Sequence, residues 1–230
     1  NESALQRIAT DTNISKASIR DLPIVIAKNM SAATTVAATS HIAHSAGIAI
    51  FATGGLGGVH RGAQETWDES ADLHSLANIP VMVVSAGAKS ILDVAATLER
   101  LETLSVPIIG FQTNRFPGFY LSDSGFELEY RADSPEEIAK IWSARQQARI
   151  AQSGMVVANP VVRQMDPVLH AQTLADGLAA AEREQIKGKA VTPFLLEYFH
   201  SHTNGESLRV NIEIIKSNAA LAAQIAVAAQ

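Results

Sequence analysis

Four short, uninterrupted apolar runs recur along the chain, at residues 48–52, 80–84, 106–111 and 155–158. Each is too short for a helix and none alternates with polar residues, so each reads as a strand covered on both faces. Strands of this kind, separated by helices of about ten to twenty residues, require right-handed crossovers. Such crossovers lay the strands parallel and put helices over both sides of the sheet. The expected fold class is α/β: a single α/β/α sandwich domain over residues 1–230 with a largely parallel central sheet, and without internal repeat, linker or low-complexity segment.

Local signals mark the helices. The first ten residues read as a short polar helix, and Pro23 suits the first turn of another over 24–28, where a missing N–H costs nothing. An alanine-rich segment follows Thr34-Thr35 and ends at Gly47, a C′ cap. Ser134-Pro135-Glu136-Glu137 is a helix start, with an N-cap, a proline in the first position and acids on the positive end of the dipole. Further helices are expected over 90–104, 170–187, 192–201 and 207–227.

Composition narrows the function classes. With 47% hydrophobic and 18% charged residues the chain can bury a sizeable core. A formal net charge of −5 argues against coating nucleic acid, which needs clustered cations. Cysteine is absent, which excludes disulfides, thiolate metal sites and a thiol nucleophile. No apolar run approaches the length of a membrane span, and the opening at Asn1 is polar rather than signal-like, so a cytoplasmic protein is expected, one that is processed or part of something longer.

In open parallel sheets, sites form where strands end at their C-termini. Three regions there carry unusual residues. The stretch Thr53-Gly54-Gly55-Leu56-Gly57-Gly58-Val59-His60-Arg61-Gly62 holds five glycines in ten residues. Its amides can approach an anion closely, with Thr53, His60 and Arg61 as polar teeth, yet it lacks the Lys-Ser/Thr of a nucleotide-binding loop and can equally be a connector. Next, Asp68-Glu69-Ser70-Ala71-Asp72 groups oxygen ligands of the kind that suit Mg²⁺ or Mn²⁺. If helical, it sets Asp68 and Asp72 on one face; the plainer reading is a solvated helix N-terminus. Third, Lys89 follows a buried strand directly. Desolvation at such a lip disfavours the charged ammonium, so Lys89 is a candidate amine nucleophile, a candidate phosphate ligand, or a surface lysine at a helix start. His41 and His44, spaced i, i+3 without a nearby acid, suit packing or an interface.

The residues 51–63, which run Phe-Ala-Thr-Gly-Gly-Leu-Gly-Gly-Val-His-Arg-Gly-Ala, resemble the signature of the pseudouridine-5′-phosphate glycosidase family, also called indigoidine synthase A-like. Six further blocks follow in the same order: Asp68-Glu69-Ser70-Ala71-Asp72-Leu73, Ala86-Gly87-Ala88-Lys89-Ser90, Gly110-Phe111-Gln112-Thr113, Val157-Ala158-Asn159-Pro160, Val191-Thr192-Pro193-Phe194 and Gly205-Glu206-Ser207-Leu208 with Asn211. The resemblance implies cleavage of the C–C glycosidic bond of pseudouridine 5′-phosphate to uracil and ribose 5-phosphate, with a divalent metal, commonly Mn²⁺, and a homotrimeric assembly. It implies that Lys89 is the catalytic lysine that forms a Schiff base with the opened ribose and that Asp68 binds the metal. It further implies that Lys16, Val36, Thr53, His60, Ser70, Ala71, Asp72 and Asn211 contact substrate.

The chemistry agrees with an amine. A C-glycoside cannot leave by simple protonation of an oxygen, as an O-glycoside does, whereas an imine supplies an electron sink. This sequence departs from the family at Glu69, where an aliphatic residue is usual, and at Ser85, where a cysteine is usual. Relatives also carry a segment ahead of the position matching Asn1, with a glutamate that donates a proton. The alternative is therefore a non-catalytic module that binds a sugar phosphate or nucleotide.

Overall fold

The computed structural model describes residues 2–11, 13–150 and 152–230. Two three-residue strands, β1 (Ser15–Ala17) and β2 (Ala32–Thr34), pair in parallel apart from the main sheet. The main sheet holds β3 (Ile50–Ala52), β4 (Met82–Ser85), β5 (Ile108–Phe111), β6 (Arg131–Ala132) and β7 (Met155–Ala158) in the order β3-β4-β7-β5-β6, every pairing parallel. The helices in chain order are α1 (Glu2–Thr10), α2 (Leu22–Ala27), α3 (Val36–Ser45), α4 (Ala63–Thr66), α5 (Ala71–Asn78), α6 (Val94–Thr103), α7 (Pro135–Gln147), α8 (Pro167–Arg183), α9 (Val191–His202) and α10 (Glu206–Ala228).

Side chains alternate across the central strands, and that alternation makes three layers. Met82 and Val84 of β4, with Met155 and Val157 of β7, pack against Ile138 and Trp142 of α7 and Leu221 and Ile225 of α10. Val83 and Val156 face the other way, toward Leu73 and Leu76 of α5 and Leu101 of α6. The expected α/β/α sandwich is what the chain forms. A third apolar cluster lies beyond the C-terminal strand ends, where Leu195 and Phe199 of α9 and Val210 and Ile214 of α10 close over Ala86, Leu92, Phe119 and Tyr120. Among the described residues no helix is long and apolar enough to cross a membrane.

Two helix starts differ from the sequence expectation. The helix after β4 begins at Val94 rather than Ser90, because Asp93 caps it by accepting the Ala96 N–H (3.0 Å). The helix expected over 170–187 is α8, which starts earlier and ends earlier. Asp166 accepts the Leu169 N–H (2.8 Å) with Pro167 in the first turn, and the chain leaves the helix near Gln185, whose φ is +56°. An Asp-Pro pair is itself a start signal. The strands β1, β2 and β6, of two or three residues, carry too little pattern to be read from sequence.

The turn that follows β4 is built around Gly87, whose φ of +79° an L side chain rarely adopts. An added Cβ would also collide with the Pro117 carbonyl. Gly87→Ala is therefore expected to destabilise the fold by about 2–4 kcal/mol, read as a lowered urea midpoint with the m-value unchanged.

Candidate active site

The glycine-rich stretch is a continuation of the sheet. Past the ends of β3 and β4 the parallel ladder persists: Thr53 N–H donates to Val84 O (2.9 Å), Ala86 N–H to Gly54 O (2.9 Å), Leu56 N–H to Gly87 O (2.9 Å) and Lys89 N–H to Leu56 O (3.2 Å). The backbone of the glycine stretch thus runs alongside the Lys89 turn and fixes its height above the sheet. Glycine is required at 57 because a Cβ there would run into Ser70 and the Asp72 carboxylate.

The acidic segment divides into three carboxylates with three fates. Asp72, in the first turn of α5, is 4% exposed, and its two oxygens accept the N–H groups of Ala37 and Gly57, each at 2.9 Å. Ser70 caps that helix by accepting the Asp72 N–H (3.2 Å). Glu69 is engaged by Arg100 (3.0 Å). Asp68 lies before the helix, so it does not share a helical face with Asp72, and among the described residues its ionic neighbour is His60, at 3.9 Å. The solvated helix N-terminus is thereby corrected for Asp72: two backbone amides, one from α3 and one from the glycine stretch, hold it inside.

Lys89 sits on the non-helical turn between β4 and α6, and its remaining surface faces the cavity. Burial lowers the pKa of its ammonium; the Asp72 charge opposes this and the Lys16 charge reinforces it. A lysine beside a second cation in a desolvated pocket is a known route to a reactive neutral amine. Burial also lowers the pKa of His60, with Asp68 opposing and Lys16 and Lys89 adding to the shift. The surface lysine at a helix start is excluded by this placement.

These groups line one cavity of about 800 Å³, large enough for a nucleotide-sized ligand. All ten residues that the resemblance assigns reach it: Lys16 in the middle of β1, Val36 at the first turn of α3, Thr53 and His60 on the glycine stretch, Asp68, Ser70, Ala71 and Asp72 on the acidic segment, Lys89, and Asn211 of α10. Sequence reasoning missed Arg20, Thr34, Thr35 and the ring of Phe119, which share the wall. The Thr34-Thr35 pair was visible as a helix entry, whereas Phe119 lies in an irregular loop and reaches the site only because it packs on Gly55. Ser85 is fully buried at the end of β4, and its Oγ meets no hydrogen-bond partner, as at a position shaped for a weakly polar thiol.

A hard divalent ion would find one carboxylate ligand here. Among the described residues no group of three or more His, Cys, Asp or Glu converges as a metal cage. Asp68, with the His60 ring behind it, can give a cation one carboxylate and leave the other positions to water and substrate oxygens, which is how Mg²⁺ and Mn²⁺ are commonly held.

The chain matches the model of a family described as indigoidine synthase A like protein, over residues 1–228. It is 57% identical over 229 residues to a pseudouridine-5′-phosphate glycosidase of Salinispora tropica, covering 99% of this chain and 71% of that protein. It is 52% identical to a pseudouridine-5′-phosphate glycosidase of Saccharopolyspora erythraea, covering 96% of this chain and 74% of the relative. Among solved structures it is similar to the prealnumycin C-glycosynthase AlnA in complex with ribulose 5-phosphate. There the TM-score is 0.91 at 32% identity, covering 100% of this chain and 76% of that one.

Two stability measurements probe the site without substrate. Asp72→Ala strands two inward-facing amides and is expected to cost about 2–4 kcal/mol in urea unfolding. At Lys89 the folded chain binds fewer protons than the unfolded chain between the lowered pKa and the ordinary lysine value, so its contribution to stability rises with pH across that window. Lys89→Met is therefore expected to raise the urea midpoint at pH 7, and its advantage over wild type to shrink as the pH approaches 10.

Proposed function

Because the chain belongs to the indigoidine synthase A-like family, we propose that its 230 residues form a glycosidase domain that cleaves the C–C glycosidic bond of pseudouridine 5′-phosphate, yielding uracil and ribose 5-phosphate. The observation that carries the reading is Lys89: an amine whose charge burial disfavours, at the lip of the sheet, in a cavity of matching size.

In this reading the Lys89 amine attacks C1′ of the substrate, the bond from C1′ to the ring oxygen opens, and that oxygen takes a proton. The nitrogen lone pair then drives out the uracil carbon, which leaves with a proton, and C1′ becomes a Schiff base with Lys89. Water hydrolyses the imine, freeing ribose 5-phosphate and the amine. Lys16, Arg20 and the start of α3 at Val36 form the cationic, amide-bearing side of the cavity and suit the phosphate. Phosphate held there fixes the substrate away from the reacting bond. Thr53, His60, Ser70, Ala71 and Asn211 supply the remaining polar contacts, while Asp72 balances charge beside Lys89. Asp68 would hold Mn²⁺ or another divalent ion, which when bound would supply Lewis acidity to position uracil or acidify a water. The reading includes the homotrimer expected of the family; exposed Ile24, Ile26 and Ile42 on α2 and α3 offer apolar surface for such contacts.

Borohydride added with ribose 5-phosphate is expected to fix the sugar on Lys89, read by peptide mass. Lys89→Ala is expected to lower uracil release by at least about 10³-fold. An unmodified Lys89 overturns the imine mechanism, and sugar-phosphate binding without uracil release leaves a binding module in place of an enzyme. After chelation, Asp68→Asn is expected to need at least ~10-fold more Mn²⁺ than wild type to regain uracil release.

A further inference from the structure

Two side chains outside the cavity, the exposed Arg61 and the buried His170, converge on the segment that follows Lys89. Arg61, from the end of the glycine stretch, donates through Nε to the Ile91 carbonyl and through Nη2 to the Ser90 carbonyl, each at 3.3 Å. His170, from α8 on the far side, is 5% exposed, and its Nε2 lies 2.7 Å from Ser90 Oγ. Neither residue lines the cavity. Both act on a turn that would otherwise be a helix. A helix running from Ser90 would use the Ser90 and Ile91 carbonyls as its first intrahelical acceptors. Arg61 occupies them instead, and the helix is delayed to Val94 behind its Asp93 cap. The Leu92 N–H returns to the Lys89 carbonyl (2.9 Å), which closes the turn that carries the amine.

The two clamps differ in kind. Arg61 acts on backbone, so no side chain on the turn can replace it. His170 acts on a side chain and is held in turn by rings: Tyr120 at 6.3 Å and Phe199 at 5.4 Å between centroids. Burial lowers its pKa, which favours the neutral imidazole in its hydrogen bond with the Ser90 hydroxyl. A neutral pair, tightly enclosed, anchors the turn without placing another cation beside an amine that has to lose its proton.

We propose that Arg61 and the Ser90–His170 pair are positioning residues that hold the Lys89 turn out of the helix and aim the amine into the cavity. The catalytic consequence rests on the imine reading above; the geometric one does not.

The test uses the 230-residue chain and four single variants: Arg61→Met, Arg61→Lys, Ser90→Ala and His170→Phe. The first readout needs no substrate. Acetic anhydride labels Lys89 in competition with exposed Lys216 in the same sample, and peptide mass gives the ratio. Release of the turn is expected to change that ratio by roughly fivefold or more in Arg61→Met and Ser90→Ala. The second readout is the rate of borohydride trapping at saturating ribose 5-phosphate. It is expected to fall roughly tenfold or more, with the half-saturating concentration nearly unchanged, because misaim costs the chemical step rather than binding. Arg61→Lys should recover part of both. Ser90→Ala and His170→Phe remove the same bond from opposite sides, so a Ser90→Ala/His170→Phe double variant should be no worse than either alone; either one also covers the other should it fold poorly. Unchanged labelling ratios in folded variants overturn the clamp. Wild-type protein that is never trapped on Lys89 overturns the imine reading alone, and the labelling ratios still decide the clamp.

Discussion

The carboxylate of Asp72 accepts one N–H from the first turn of α3 and one from the glycine stretch while standing on the first turn of α5. Three segments far apart in sequence meet on its two oxygens. The α3 contact seats the helix whose first residue, Val36, borders the cavity. The Gly57 contact holds the glycine stretch against the acidic segment, and that stretch in turn carries the Lys89 backbone through the extended ladder. A buried carboxylate without such donors would be costly; with two backbone amides it is compensated and stiff. This polar bridge ties together loops that the apolar cluster of α9 and α10 covers from the other side.

The same carboxylate enters the electrostatics of Lys89 with the wrong sign for deprotonation, since it favours the ammonium. Burial outweighs it, and Lys16 adds to burial. Asp72 is poorly placed to neutralise Lys89 fully because the neighbouring amides already draw on both of its oxygens. A carboxylate shared among backbone donors is a weaker counter-ion than a free one. This eases the conflict that the proposed imine chemistry sets up, in which an acid stands beside an amine that the reaction needs neutral.

Much of this was legible in the chain. Continuous apolar runs such as Met155-Val156-Val157-Ala158 gave the buried parallel strands, because a strand covered on both faces has no polar side to confuse the pattern. The ten residues that the motif resemblance picks out all reach one cavity. What stayed hidden depends on long-range hydrogen bonds. Asp72 read as a solvated helix-start acid because nothing local reveals that Ala37 and Gly57 come to meet it. Ser90 read as helical because the guanidinium that removes its carbonyl comes from Arg61, and no periodicity within residues 85–104 encodes that donor. Propensity is local, and these choices were made by tertiary partners.

The glycine stretch illustrates why the loop had to be poor in side chains rather than merely flexible. Its first residues, Thr53 to Leu56, pair with the continuation of β4, and Val59 bridges to Glu69 and Asp93. Glycine there serves approach: Gly57 lets Ser70 and Asp72 lie against the backbone, and Gly55 does the same for Phe119. Larger residues would lift those groups away and open the lip around Lys89 to water. Water would restore the ammonium's solvation, and with it the ordinary lysine pKa. The low side-chain volume of the loop and the depressed basicity of the amine are therefore one design constraint, since the close packing that only glycine permits is what keeps the charge of Lys89 expensive.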